Sequence, residues 1–160
     1  MKSRRILIIT TIIIIISVIN SQSKPTAFTN NWQKLSDQGS TYLTLVKDLM
    51  EMARAHRGND TDFQVTYELV TAASEANDYL EAASDLLFIY DQISNPADRT
   101  SVRLYVNKRL NEYASRFDRL IKHVNTSLSF SISSGIAATG IRLRDELRSG
   151  QYLLKSVVIK

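Results

Sequence analysis

The longest amphipathic stretch of this 160-residue chain is Asp62–Ser94, DFQVTYELVTAASEANDYLEAASDLLFIYDQIS. Its apolar residues recur at alternating intervals of four and three, which aligns them along one face of an α-helix. The series is Val65, Leu69, Ala72, Ala76, Tyr79, Ala83, Leu86, Tyr90 and Ile93, and it is widened by Val70, Ala73, Leu80 and Leu87. No Pro or Gly interrupts it. A face this wide needs several packing partners, so the stretch predicts the central helix of a bundle.

The segment before the central helix predicts a long helix over about Thr29–Arg57. Gly39 falls on its apolar seam, where a residue without a side chain admits a bulky neighbour, so one unbroken helix is favoured over two. Gly58 suits the left-handed position that commonly follows a helix. Thr61 and Gln64 match a capping box at the start of the central helix.

The segment after the central helix predicts a third long helix and a shorter fourth. Asn95 and Pro96 suit the N-cap and first position of a helix that extends to about Ser127. The serine-rich residues 127–134 are interpreted as a frayed helix end and connector. A shorter helix is predicted for Gly135–Arg148, closed by Gly150. The apolar tail, residues 151–160, is expected to pack on the bundle, for example as a further helical turn.

These elements predict an all-α fold, an elongated antiparallel bundle of three long helices plus a shorter fourth, because short loops favour antiparallel neighbours. Residues 24–160 form the predicted bundle domain and residues 1–23 a signal peptide or N-terminal anchor. Three basic residues, Lys2, Arg4 and Arg5, precede the mostly apolar run Ile6–Ile19, as in secretory leaders. Because this run is shorter than the about 20 residues that cross a bilayer, cleavage and export to the periplasm or medium are predicted over a retained membrane anchor.

Charge is segregated along the chain beyond the leader. Lys24–Asp98 carries 5 basic and 12 acidic residues, a net charge of −7, whereas residues 99–160 carry 12 basic and 4 acidic, a net charge of +8. Such polarity predicts a protein partner, or self-association, with Arg109, Arg116 and Arg119 as candidate binding residues. No nucleic-acid partner is expected for an exported chain whose basic helix lacks interleaved exposed aromatics.

Motifs for catalysis and cofactors are missing from the sequence. It has no Cys, no phosphate-binding loop and no nucleophile elbow, so neither an enzyme nor a cofactor is predicted. One alternative is a haem- or metal-binding bundle that uses Met52, His56 and His123, which antiparallel helices would bring to similar levels.

A leader ending near Ser21-Gln22 is similar to those of exported proteins of Bacteroidetes-type bacteria. Part of the third helix resembles extracytoplasmic helical components of bacterial conjugative (type IV secretion) transfer systems, in the residues Asp98, Arg99, Val102, Val106, Arg116, Asp118, Leu120 and Thr126–Ser129. The resemblance implies a non-catalytic exported scaffold or adaptor in a cell-envelope or secretion-type assembly, and no functional residue is carried over. A membrane-tethered accessory protein is the second alternative, with membrane contact only if the leader is retained.

Overall fold

The computed structural model describes residues 29–58 and 60–159, which form four α-helices and no β-strand. The helices are α1 (Thr29–Ala55), α2 (Asp60–Gln92), α3 (Pro96–Ser127) and α4 (Ser134–Ser156). Their lengths are 27, 33, 32 and 23 residues. The predicted all-α class and helical-bundle fold are confirmed. The leader predicted for residues 1–23 lies outside the described residues.

The helices share one hydrophobic core. α1 and α3 each contact α2 and α4, and α2 also contacts α4. The α1–α2 contact is the most extensive of these. Four alanines of α2 are buried, namely Ala72, Ala73, Ala76 and Ala83. α1 continues unbroken through Gly39 as predicted, and a Cβ atom on Gly39 would lie 3.0 Å from the side-chain oxygen of Asn77 on α2.

An aromatic cluster joins all four helices. Phe117 of α3 packs against Tyr42 of α1 at a ring-centroid distance of 6.2 Å and against Tyr79 of α2 at 6.4 Å. Tyr79 also stacks on Tyr113 of α3 at 5.9 Å. Gly150 of α4 lies beside the same rings, since a Cβ atom on it would sit 2.6 Å from Tyr42 Oη and 2.8 Å from Phe117 Cε1. All four helices therefore meet at this layer.

The position of Gly150 overturns one prediction. The sequence placed it as the residue that closes the fourth helix, but α4 continues through it to Ser156. Gly150 is used for close approach to the aromatic cluster and keeps helical backbone geometry. The predicted further turn is therefore part of α4. The tail packs on the bundle with Val157 and Ile159 buried, which confirms that expectation.

Two predictions at the α1–α2 loop are also wrong. No glycine in the described part of the chain has a positive φ, so Gly58 does not take the left-handed conformation. α2 begins at Asp60, which puts Thr61 inside the first turn and not at the cap. Gln64 then has no cap to reach, and its side-chain amide donates to Glu68 Oε1 at 3.4 Å.

Buried Asp62 holds the two connectors near this end of α2. Its Oδ1 accepts a hydrogen bond from the Ser133 amide at 3.0 Å, at the start of α4. Its Oδ2 lies 3.4 Å from His56 Nδ1, just after α1. Helix α3 begins as predicted, since Asn95 Oδ1 accepts from the Ala97 amide at 2.9 Å. Residues 128–133 connect α3 to α4 without regular structure, as predicted.

Candidate functional site

Acidic and basic residues are concentrated on different helices, and this separation is sharper than the one between the two halves of the sequence. Helix α2 contains eight acidic residues and no Lys or Arg, whereas α3 contains seven basic and three acidic residues. Helix α4 adds four basic and two acidic residues. Because α2 and α3 are neighbours, the arrangement of their charged side chains decides whether the charges pair within the molecule or face outward.

Four carboxylates form an exposed row along α2, here called the acidic face: Glu75, Asp78, Glu81 and Asp85. Within residues 29–58 and 60–159, none of the four forms an ion pair with a cation. Arg99 and Asp91, 3.2 Å apart, are the ion pair that joins α3 to α2 in this part of the chain. The acidic face therefore points to solvent.

Three exposed cations form a corresponding row on α3, here called the basic face: Lys108, Arg119 and Lys122. Lys108 and Arg119 line a shallow surface depression of about 510 Å³ on the outside of α3. Arg119 also lines a smaller cavity of about 300 Å³ between α2 and α3. None of these three cations forms an ion pair among the described residues.

The three arginines predicted as partner-binding residues have two different roles. Arg109 lies over the Tyr113 ring, with 4.9 Å from its guanidinium carbon to the ring centroid, and donates to Tyr113 Oη at 3.0 Å. Arg116 lies over the Tyr79 ring at 5.2 Å and donates to Tyr79 Oη at 3.3 Å. Both therefore cover the aromatic cluster, whereas Arg119 is exposed.

The hydrogen bonds to tyrosine also change the pKa values of Arg109 and Arg116. The bond to Tyr113, followed by that to Glu112, raises the pKa of Arg109, and the bond to Tyr79 raises the pKa of Arg116. Both guanidinium groups are positively charged near neutral pH. Lys108 and Lys122 are missing from the predicted site, although their intervals from Arg119 along α3 place all three on the outward face.

The candidate metal ligands have separate surroundings. His56 lies against Asp62 in the α1–α2 connector. Met52 Sδ accepts a hydrogen bond from Thr139 Oγ1 of α4 at 3.6 Å. His123 is exposed and lines the cavity between α2 and α3. Over the residues that the structure describes, no group of three or more His, Asp or Glu side chains is placed to hold a metal ion.

A third surface feature is a groove between α1 and α2, with a volume of about 370 Å³. Apolar side chains border it: Trp32 packs edge-on against Phe88 with ring centroids 5.7 Å apart, and Leu43 and Phe88 are 55% and 47% exposed. Small residues of α1, Ser36, Gly39 and Ser40, line it as well. Glu81 and Asp85 of the acidic face stand at its edge.

Comparison with known proteins found no matching family model, no matching curated protein and no matching solved structure. None of the described helices contains an apolar stretch long enough to cross a membrane.

Proposed function

We propose that this chain is a non-catalytic helical scaffold or adaptor that binds protein partners, or further copies of itself, through its two charged faces. The observation that carries the proposal is the outward position of both faces. Glu75, Asp78, Glu81 and Asp85 on α2 and the three cations of the basic face on α3 are exposed, and no ion pair joins one face to the other within the described residues.

Segregated charges of this kind can either pair within the molecule or attract a partner. An exposed ion pair contributes only about 0–1 kcal/mol to folding, so intramolecular pairing gives little reason for charge segregation on this scale. Opposite fields that face solvent orient encounters between proteins and accelerate their association. The second use fits two faces that no ion pair joins within the described residues.

The proposal includes a finer description of the bundle, with the helices antiparallel and elongated, three of them long and α4 shorter. Contacts at both ends of the α1–α2 pair support it. Near the start of α1, the Trp32 carbonyl accepts from Ser84 Oγ late in α2 at 3.0 Å. Just after α1, His56 lies against Asp62 at the start of α2. In this arrangement the acidic and basic faces run side by side along the long axis.

The proposed location is the periplasm or the exterior of the cell, in an envelope or secretion-type assembly. It is supported by the order of basic, apolar and polar residues in the first 23 positions and by the resemblance of α3 to conjugative transfer components. Retention of the leader as a membrane anchor is the alternative, and an intact N-terminus in the membrane fraction would favour it.

The basic face is tested by reversing its three charges together, with Lys108→Glu, Arg119→Glu and Lys122→Glu. Cross-linking in the source cell should yield complexes for the unchanged protein, and the triple variant should lose most of them. Raising the salt in a cell lysate from about 0.05 to 0.5 M before cross-linking should have a similar effect, because this salt range shortens the screening length to a few ångströms.

A matched control changes the same net charge elsewhere, through Lys34→Glu, Lys47→Glu and Arg57→Glu, three exposed cations outside α3 and α4. The control should retain the complexes, and both variants should melt near the unchanged protein. If the triple variant retains its complexes, or loses them only because it melts far lower, the charges of α3 serve folding and the proposed function is wrong.

A further inference from the structure

We propose that the groove between α1 and α2 binds the outer face of α3 from a second copy of this chain. The inference deepens the proposed function and rests on it, because it identifies one partner of the charged faces. It is carried by the complementary chemistry of two surfaces of the same molecule.

The groove combines an apolar border with negative charge. Leu43 and Phe88 leave about half of their side-chain surface in solvent, and Glu81 and Asp85 lie beside them. No Lys or Arg is among its described lining residues. It lies between two helices and is partly open to solvent, so side chains on one side of an approaching helix can enter it. The matching ligand is a helix with an apolar residue next to cations.

The outer face of α3 has this composition. Leu104 is 73% exposed and lies one helical turn before Lys108. Arg119 continues the same side of the helix further along. Leu104 would cover the apolar border of the groove, while Lys108 and Arg119 would meet the acidic face.

The spacing of the two surfaces allows this pairing in one orientation. In an antiparallel approach with Leu104 beside Phe88, Lys108 comes opposite Asp85. The two intervals differ by one residue, which corresponds to about 1.5 Å of helical rise. The flexible stem of Lys covers such an offset, and Arg119 adds positive charge on the same side of α3.

The α3 helix of the same molecule cannot be the occupant. Its Tyr113 stacks on Tyr79 and its Arg116 covers that ring, so it lies on the flank of α2 that faces away from Trp32 and Phe88. A second copy of the chain can bring the outer face of its α3 to the groove without any change in its fold. Contact between two different surfaces is heterologous, so it can continue from copy to copy.

The test uses two variants of the full chain that block opposite sides of the contact. Ser40→Trp fills the groove at an exposed position, and the pair Lys108→Glu with Arg119→Glu reverses the face. Sedimentation of the purified protein at low salt over a dilution series should show self-association. Each variant alone should associate at least about tenfold more weakly, since central contacts dominate interface energies.

An equimolar mixture of the two variants gives the decisive result. The mixture contains one intact face, on Ser40→Trp, and one intact groove, on the charge-reversed chain, so it should form a one-to-one complex that neither variant forms alone. Ser149→Trp on α4 is the matched control, because Ser40 and Ser149 are both exposed and each donates its hydroxyl hydrogen to the carbonyl four residues earlier. It should self-associate normally.

The proposal is overturned if the purified protein stays monomeric or if the mixture forms no complex. Should cellular complexes still depend on the basic face while the purified protein is monomeric, the partner is a different protein. The proposed function then stands without self-association.

Discussion

The α1–α2 pair and the α3–α4 pair fill one core in different ways. α2 contributes buried alanines, among them Ala73 and Ala76, and its contact with α1 is the most extensive between two helices of the bundle. α3 contributes large rings at Tyr113 and Phe117, and α4 makes room for them with Gly150. The pairs also differ in charge: residues 29–92 have 4 basic and 11 acidic residues, and residues 96–156 have 11 basic and 5 acidic.

This difference shows that small residues have two distinct uses in the bundle. In α2 several alanines are buried over successive turns of the helix. In α4 a single glycine accommodates a bulky cluster at one level. The outer surfaces of the two regions differ as well. The surface between α1 and α2 has a groove lined by Gly39 and Ser40. The rings of Tyr113 and Tyr79 are instead covered by Arg109 and Arg116. The following predictions test these distinctions, beginning with the largest expected effect.

An Asp substitution should destabilise the protein far more at a buried leucine of α2 than at an exposed leucine of α3. Leu80 has no exposed surface and Leu104 is 73% exposed. Leu80→Asp should cost at least about 4 kcal/mol of unfolding free energy, because it buries a charge without a partner. Leu104→Asp should cost less than about 0.5 kcal/mol. Urea unfolding in high salt, which suppresses association, measures both, and equal losses would contradict the assignment of the two faces.

Two glycines of α4 should respond to alanine with opposite signs. Gly150→Ala should destabilise the protein by about 1–3 kcal/mol, because the added methyl overpacks the aromatic cluster. Gly135→Ala should stabilise it by about 0.4–1 kcal/mol, since nothing lies within 4 Å of the new Cβ and the unfolded chain loses freedom. Thermal and urea unfolding measure both changes. A stabilising Gly150→Ala would show that the rings have room to move away.

Removing one hydroxyl should test the link between α1 and α4. Tyr42 Oη donates to the Glu146 carbonyl at 2.6 Å, so Tyr42→Phe should cost about 1 kcal/mol near neutral pH. Burial raises the pKa of the Tyr42 phenol, and the folded protein therefore holds this proton more tightly than the unfolded chain. The resulting stability is complete below about pH 10, the ordinary pKa of tyrosine, and is lost as the pH rises through the raised pKa.

When the pH is raised from about 9 to about 11, the unfolding free energy of Tyr42→Phe should therefore fall by less than that of the unchanged protein. Tyr67→Phe is the control for the loss of a tyrosine hydroxyl, because Tyr67 is 65% exposed. Urea unfolding across this range provides the comparison. Identical alkaline profiles for all three proteins would mean that the Tyr42 proton does not contribute to stability.

The sequence by itself determined the features that depend on neighbours along the chain. The three-four spacing of α2 and the Asn95-Pro96 start of α3 were predictable, because helix periodicity and capping involve residues within about one or two turns. Charge segregation could also be read directly. The same local signals failed at Gly58 and Thr61, where buried Asp62 reaches His56 and Ser133, residues from other parts of the chain.

Only the tertiary structure decided which residues of each apolar or charged set face which neighbour. Leu80 and Leu87 are fully buried while Leu86, on the predicted seam, is half-buried, because α1, α3 and α4 together set the rotation of α2. Gly150 continues its helix because rings from α1 and α3 lie against it. Arg116 covers Tyr79, whereas Arg119 three residues later is exposed. Such distinctions arise from contacts between distant segments, which residue spacing along one helix does not encode.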